Sequence, residues 1–588
     1  MLRKHLQQYI PVPVLMCTIA ILFYWALGVR SLWESEDRWA EIARNMLRTG
    51  DFFHPIINAS IYFDKPLLSY WFIAAVATIT GNLNEWSIRA PSALAGMVTL
   101  YATFYLGREL WSKKVAWLAV WVLLTSYGFI FWSRTASADM ANLAATIAAV
   151  SWFFANKDKP TFSSYFIFYF ICVVGAQTKG LTAIAIPVLV VFPYICREKR
   201  WQAHYNRSHL GALGLCALLY FLPFVAAIKI PLASGFQAPD MQLNGLNLVY
   251  RENILRFFKP FDHQGNLLTY IYALPYILVP WSPLFFAAFY LGLTKIKKTT
   301  EYSRWLLEAI ILIFIFFTLS GSRRWYYIIP IMPYCALLTA GFLLDAGNQT
   351  LKNYCSLLIK STFSIISIIF LASPLLWQFT KRYQFVPPSA LIYSTFIIGL
   401  FSCLIIFISR WKPAVFSTLI GTDNHNAVLV ALSAVLVGGW FCGLQPSLEV
   451  LRTERDFAQQ LKKMASTPEN IVFYEHARPS IVFYLNFAKP IPILTADNLI
   501  SAIKNNRKLI VIAEKTDSPT LKTALLCQYQ VSPLLEEVNF PWKKSRSNMK
   551  LIAWKMTEIK NSHEVCKNST GALEPPKHVS PPHSERID

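Results

Sequence analysis

Apolar residues along this chain gather in long uninterrupted runs, and polar residues gather between them. Runs close to the length that carries a helix across a bilayer predict membrane spans. In chain order they fall at 11–28, 88–109, 114–131, 139–155, 163–177, 181–196, 209–228, 268–290, 304–320, 325–344, 356–376, 388–408 and 427–445, about thirteen in all. The stretch 66–81 is apolar too, but Asp64-Lys65-Pro66 before it suits a helix lying in the membrane interface. After the last run the pattern changes. Leu448 to Ala465 has helical spacing, Asn470 to Tyr474 reads as a buried strand, and Pro479 opens a short helix through Leu485. A helix at Ala496 to Asn505, a strand at Lys508 to Ala513, a helix at Pro519 to Cys527 and a strand at Lys550 to Trp554 complete an alternation that predicts a small α/β domain. From Lys560 the chain is polar and proline-rich, which predicts disorder.

The expected organisation is a transmembrane domain at 1–446 with long outer loops at 30–87 and 229–267, an α/β domain at 447–558 and a tail at 559–588. Composition agrees, with 55% hydrophobic and 15% aromatic residues among 588. Basic residues stay on the cytoplasmic side of a membrane. Arg3-Lys4, Arg108 with Lys113-Lys114, Lys157 with Lys159, Arg197 with Lys199-Arg200, and Lys295 with Lys297-Lys298 all fit an N-terminus inside. Both long loops and the C-terminal domain then face outward. The first run follows Arg3-Lys4 as in a signal peptide, but it is as long as a span and has no small-residue cleavage site, so it reads as a retained anchor. The net charge of +22 follows from topology and scattered loop residues, which points to anionic membrane lipids and away from nucleic acid. Cys527 and Cys566 lie in the outer portion without metal-type spacing, as one disulfide or two thiols. No glycine-rich nucleotide loop is present.

Candidate chemistry collects at the outer boundary. On a helix starting near Glu34, the side chains of Glu34, Asp37, Arg38 and Glu41 share one side. Alone, that pattern fits a solvated interfacial helix with intrahelical ion pairs. Other features fall on the same face: Asp64-Lys65, Arg134 to Asp139 at the start of a span, Lys179-Gly180 in a tight outer hairpin, and Arg251, Arg256, Lys259 and His263 in the second long loop. Acids at membrane depth are costly and usually functional. A reaction on a lipid phosphate needs cations for the phosphate, a carboxylate base and an apolar groove. This face supplies all three.

The run Glu36 to Arg44, then Gly50-Asp51, Tyr62 to Pro66, Tyr70-Trp71 and Asn84 to Arg89, resembles the first outer loop of the bacterial aminoarabinose lipid A transferases, in the protein O-mannosyltransferase-like group of C-type glycosyltransferases. The resemblance continues through Arg134 to Asp139, Thr178-Lys179-Gly180, Glu252-Asn253, Arg256-Phe257, His263, and Ser322 with Tyr327, Pro330 and Pro333. It implies a polytopic α-helical fold with about thirteen spans, outer juxtamembrane helices and a C-terminal outer domain. It also implies transfer of a sugar from undecaprenyl phosphate to an acceptor such as lipid A, at the bacterial inner membrane with the site on the periplasmic side. By motif, Arg38 and Lys65 contact the carrier phosphate, Asp139 serves the catalytic acid pair, and Lys179, Arg256 and Tyr327 belong to the donor site. Asp64 and His263 fall where some members bind metal. An Asp/His pair suits zinc, and structural hydrogen bonding accounts for it as well. No nucleotide is required, and the cofactor this pair would admit is a divalent metal such as zinc.

One departure stands out. The family pattern is Asp-Glu-x-Arg, whereas this chain reads Ser35-Glu36-Asp37-Arg38. Glu36 or Glu34 takes over the missing aspartate's role through a longer side chain, or Asp37 does, or activity is lost. The preferred pair is Glu36 with Asp139. A protein or another glycan is the alternative acceptor. A lipid or sugar transporter, the rival of another class, should show repeated halves and acids at mid-span. This chain shows neither. A non-catalytic lipid-binding relative is the third reading.

Overall fold

The structure, a computed structural model, describes residues 10–558 except 34, 59, 200, 232–244, 260–263, 297–299, 381–387, 450–453, 466, 526–528 and 538–549. The tail, His263, Glu34, Cys527 and Cys566 therefore lie outside the described residues. The chain divides into two compact units: Met1–Arg30, Phe63–Pro231 and Asp240–Leu448 in the first, and Ser31–Tyr62, Leu232–Pro239 and Glu449–Asp588 in the second.

The first unit is helical. Each apolar run carries a helix or a bent pair of helices. Among the described residues six helices are long and apolar enough to cross a membrane, or up to eight if each bent pair is one span. Two runs expected to be straight are broken: Lys113–Leu124 meets Tyr127–Ser133 at 68°, and Thr269–Ile277 meets Ser282–Thr294 at 117°. Backbone groups freed at a break must be satisfied inside the protein, and here the two breaks serve each other. The Tyr127 amide donates to the Val279 carbonyl at 2.8 Å. The Trp281 indole donates to Thr125 Oγ1 at 3.0 Å. Gly128 lies directly on Ile277, leaving no room for a Cβ. The stretch 66–81 forms a separate helix, Leu68–Thr80.

Two buried arginines hold the end of the first helix, Pro11–Tyr24. Arg134 donates to the carbonyls of Leu22 and Trp25, each at 2.8 Å. Arg89 donates to Leu27 and Arg30 carbonyls at 2.8 and 2.7 Å. Carbonyls orphaned at a helix end are thus satisfied by guanidinium groups. Arg134, grouped by sequence with Asp139, has this structural task.

In the second unit, strands β1 (Ile56–Ile57) and β2 (Ser60–Ile61) form a small antiparallel ribbon. The main sheet contains β3 (Ile471–Tyr474), β4 (Ile493–Leu494), β5 (Ile510–Glu514), β6 (Tyr529–Glu536) and β7 (Leu551–Glu558), in the order β4-β3-β5-β7-β6. β3 is parallel to β4 and β5, and the β5–β7 and β7–β6 pairs are antiparallel. Alternate residues face opposite sides. Phe473 and Ile512 pack with Phe457, Leu461, Ile481 and Leu485 on one face. Val472 and Val511 pack with Leu499, Ile503, Leu521 and Leu525 on the other. The helices Pro479–Leu485 and Ala496–Asn505 have the expected bounds. β4 and β6 are additions that the sequence pattern did not mark.

The helix Glu36–Thr49 belongs to this unit and ends on Gly50, whose φ of +73° suits a residue without a Cβ. It starts at Glu36, two residues later than expected. Its polar side is covered, which corrects the solvated-helix reading. Glu36, Asp37, Glu41 and Arg44 are all buried. Arg44 donates to the carbonyls of Val482 at 3.2 Å and Phe483 at 3.0 Å and pairs with Glu41. Arg48 donates to Phe487 O at 2.6 Å. These bonds reach carbonyls in the last turn of Pro479–Leu485 and beyond it, where backbone donors run out; Val482 O also accepts from the Asn486 amide at 3.2 Å. Asn58 adds a reciprocal pair with the Ile491 backbone at 2.8 and 2.9 Å.

Candidate functional site

The first unit gathers polar side chains from five segments distant in sequence. The Leu68 amide donates to Gln177 O at 3.2 Å and Ser69 Oγ to Thr178 O at 3.2 Å, so the loop carrying Asp64 and Lys65 is tied to the hairpin carrying Lys179. That hairpin is tied in turn to the second long loop. Gly180 has φ +138°, and the Asn253 carboxamide sits where its Cβ would be. Asn253 Oδ1 accepts from the Leu181 amide at 2.7 Å, and its Nδ2 donates to Val249 O at 3.0 Å. The segment so anchored, Tyr250–Leu255, is a π-helical turn running into Arg256–Phe258. Such turns are rare and tend to occur at functional sites. The Gly321 amide donates to Phe257 O at 2.8 Å and brings in the segment with Ser322 and Tyr327.

Two charge clusters result. In one, Lys65 Nζ lies 2.8 Å from Asp64 Oδ1 and 3.6 Å from Glu252 Oε2. The same Glu252 oxygen is 2.5 Å from Arg256 Nη1, while Arg251 Nε approaches Glu252 Oε1 at 3.4 Å. Arg256 Nε also donates to Ser322 Oγ at 3.3 Å. Burial pulls the Lys65 ammonium toward neutrality, but Asp64 and Glu252 outweigh it and hold its pKa above the usual value. Lys65 is therefore a cation at any physiological pH. In the other cluster, Lys179 Nζ pairs with Asp139 Oδ1 at 2.5 Å and lies 4.4 Å from the Tyr327 ring centroid. Asp139 sits in the first turn of Ala138–Asn156, where the helix dipole favours a carboxylate.

The remaining candidates lie in the second unit. Glu36 is fully buried, and its Oε2 accepts from the Trp33 amide at 3.0 Å. The Ser35 side chain makes no capping bond. Asp37 Oδ1 accepts from the Arg38 amide at 2.6 Å, and the Ser480 amide also donates to its carboxylate. Burial pushes the Asp37 pKa up to about 7, with Glu454 adding to the rise and Arg38 and the two amides opposing it. Arg38 Nη1 donates to the Tyr62 hydroxyl at 2.5 Å.

Of the residues selected from sequence, Asp64, Lys65 and Arg256 thus meet around Glu252, Asp139 and Lys179 meet beside Tyr327, and Asp37 and Arg38 are adjacent to Glu36 in the other unit. Glu34 and His263 lie outside the described residues. Sequence reasoning gave no role to Glu252, Asn253, Ser322 or Tyr62. Their signal was adjacency to charged motifs, which does not disclose a bond across the fold. The Asp64/His263 pair is not described as a pair, because His263 lies outside the described residues. Asp64 is already ion-paired with Lys65, and among the described residues no group of three or more His, Cys, Asp or Glu could hold a metal.

Residues 64–226 match the family described as dolichyl-phosphate-mannose-protein mannosyltransferase. An undecaprenyl phosphate-alpha-4-amino-4-deoxy-L-arabinose arabinosyl transferase from Shewanella sediminis is 30% identical over 365 residues, 59% of this chain and 63% of the relative. A similarly named enzyme from Sodalis glossinidius is 28% identical over 63% of this chain and 66% of its own length. The chain therefore spans less than two thirds of the length of the curated relatives it matches. The crystal structure of ArnT from Cupriavidus metallidurans bound to undecaprenyl phosphate superposes with a TM-score of 0.68 at 18% identity, over 92% of this chain and 97% of that one. Its apo form gives a TM-score of 0.66. The fold is that of ArnT: a multi-span helical membrane protein with a small C-terminal sheet domain.

Proposed function

We propose that this chain is a glycosyltransferase that moves a sugar of the aminoarabinose type from undecaprenyl phosphate to lipid A. The reaction takes place at the periplasmic side of a bacterial inner membrane, with the N-terminus in the cytoplasm. The observation that carries the reading is the pair of cations, Lys65 and Arg256, converging on a single carboxylate oxygen of Glu252. Two cations aimed at one point make an anion cradle. Its place in an ArnT-like fold, together with the names of the sequence relatives, supports reading the anion as the carrier phosphate.

In the proposed reaction an acceptor oxygen attacks the anomeric carbon, the bond from that carbon to the phosphate oxygen breaks, and undecaprenyl phosphate leaves with the electron pair. Any proton on the acceptor oxygen passes to a carboxylate, Glu36 or Asp139. One displacement inverts the anomeric centre. Lys65 and Arg256 stabilise the charge that grows on the phosphate, and such stabilisation counts only where it is stronger in the transition state than before it. Lys179 pairs with Asp139 and orients it, with the Tyr327 ring against the ammonium. Asp37 titrates near neutrality and is the second candidate for the role left by the serine at position 35. No step passes through a metal. The family match over 64–226 supports a second acceptor, a protein hydroxyl.

The test is mass spectrometry of lipid A and of polyprenyl-linked sugars in cells lacking the gene, complemented by wild type, Glu36→Ala, Asp139→Ala, Arg38→Ala or Lys65→Ala. A lipid A sugar lost on deletion, with its donor accumulating, is the expected result. Restoration by wild type and by none of the variants completes it. Donor accumulation with unchanged lipid A moves the acceptor to protein. No change in either pool refutes the proposal.

A further inference from the structure

We infer that Glu252 is an exchangeable counter-ion, occupying the anion cradle until the phosphate of the donor displaces it. The inference rests on the assignment of Lys65 and Arg256 to phosphate binding. Its observation is that one oxygen, Glu252 Oε2, is shared by Arg256 Nη1 at 2.5 Å and Lys65 Nζ at 3.6 Å. Asp64, 2.8 Å from Lys65, balances one of the two cations and Glu252 balances the other; a cation this buried needs an anion at all times, because an uncompensated charge in a poorly hydrated site is strongly unfavourable. A phosphate oxygen entering between them takes the place of that carboxylate oxygen, and two anions cannot share it.

The surroundings allow an exchange of side chains without movement of the backbone. Asn253 fixes the turn against Gly180 and Leu181, so the residue after Glu252 stays in place. Glu252 has a second partner on its far oxygen: Arg251, 3.4 Å from Oε1 and 43% exposed against 7% for Glu252. Rotation toward Arg251 carries the carboxylate outward and keeps it paired. After transfer the product phosphate bears more negative charge than the donor diester, and the returning carboxylate competes with it for the same two cations. Glu252 is thus a positioning residue that weakens ground-state binding and speeds product departure. Uniformly tight binding of donor and product would not raise turnover.

The experiment uses the full chain in lipid nanodiscs, with undecaprenyl phosphate as probe and undecaprenol as the phosphate-free control. Glu252→Gln should bind undecaprenyl phosphate roughly tenfold tighter, as expected when a competing internal state is removed. In transfer assays it should lower KM and kcat together, a pattern that a merely structural role would not give. Arg251→Ala should weaken phosphate binding severalfold in the wild-type background and do nothing in the Glu252→Gln background. That second comparison stands even if Glu252→Gln alone proves poorly stable, since Glu252→Ala can replace it. Unchanged or weaker binding in both Glu252 variants, with Lys65→Ala losing binding, overturns the exchange and leaves the phosphate assignment intact. Unchanged binding in Lys65→Ala overturns the phosphate assignment, and the exchange with it.

Discussion

Gly180→Ala should release the second long loop from the hairpin beside Lys179. With φ at +138°, the backbone here is in a region essentially reserved for glycine, and a non-glycine residue costs about 1–3 kcal/mol. The added methyl also overlaps the Asn253 carboxamide, so the side chain must turn away and give up its bonds to the Leu181 amide and Val249 O. Each bond contributes about 1 kcal/mol. Together the change amounts to about 3–5 kcal/mol of local anchoring. The informative assay is a double-mutant cycle with Asn253→Ala, read by thermal unfolding in detergent and by transfer activity. Asn253→Ala removes the overlap and the bonds together, so the double variant should lose less than the sum of the singles, by about 1–2 kcal/mol. Activity should fall in both singles, because Glu252 and Arg256 flank Asn253. Additivity within about 0.5 kcal/mol, or a Gly180→Ala protein with full stability and activity, would refute the anchoring.

Asp37 predicts a pH dependence. Its folded pKa of about 7 lies above the ordinary aspartate value of 3.8, so between those values the folded state holds a proton that the unfolded state has released. Stability therefore falls as pH rises through that window and is lowest above it. Asp37→Asn should flatten the melting temperature between pH 5 and pH 8 and raise it at pH 8; an unchanged slope removes the assignment. Arg44→Ala removes the guanidinium bonds to Val482 O and Phe483 O and leaves the Glu41 carboxylate buried without its guanidinium, which should destabilise the second unit by about 3–5 kcal/mol. Urea unfolding would measure it, and a loss below about 1 kcal/mol contradicts the buried pair. Tyr62→Phe deletes the hydroxyl that accepts from Arg38 and should lower transfer severalfold while leaving melting unchanged; unaltered kinetics would show that Arg38 needs no such support.

Much of the fold was legible because the strongest signals were local. Run length marked the helical segments of the first unit, and Pro479 marked the first turn of a helix that follows a buried strand. The breaks near Thr125 and Pro280 were hidden because hydropathy is a sum over residues and carries no direction. A bent pair and a straight helix of the same composition score alike. The polar side of Glu36–Thr49 was read as solvated for a related reason. A helical wheel places Glu41 and Arg44 together, but the carbonyls that receive Arg44 belong to residues 438 and 439 positions later. In the candidate site several of the charged residues picked out from sequence meet in the fold, and they were visible because charge beside an apolar run is conspicuous. Pairings such as Lys65 with Glu252 or Lys179 with Asp139 depend on how five segments close on one another, and no spacing encodes that.

The division of the second unit between residues 31–62 and the chain beyond 449 imposes an order on biosynthesis. Arg44 leaves the ribosome long before its partner Val482, 438 residues further on. At translation rates of about 5–20 residues per second the interval is about 20–90 s. Throughout it Trp39, Ile42 and Met46, buried in the finished protein, have no C-terminal sheet domain beside them. The helix must outlast that delay by its own propensity, by lipid contact or with the help of a chaperone. A ribosome that stops short of β7 leaves the first-made part of the unit stranded along with the last.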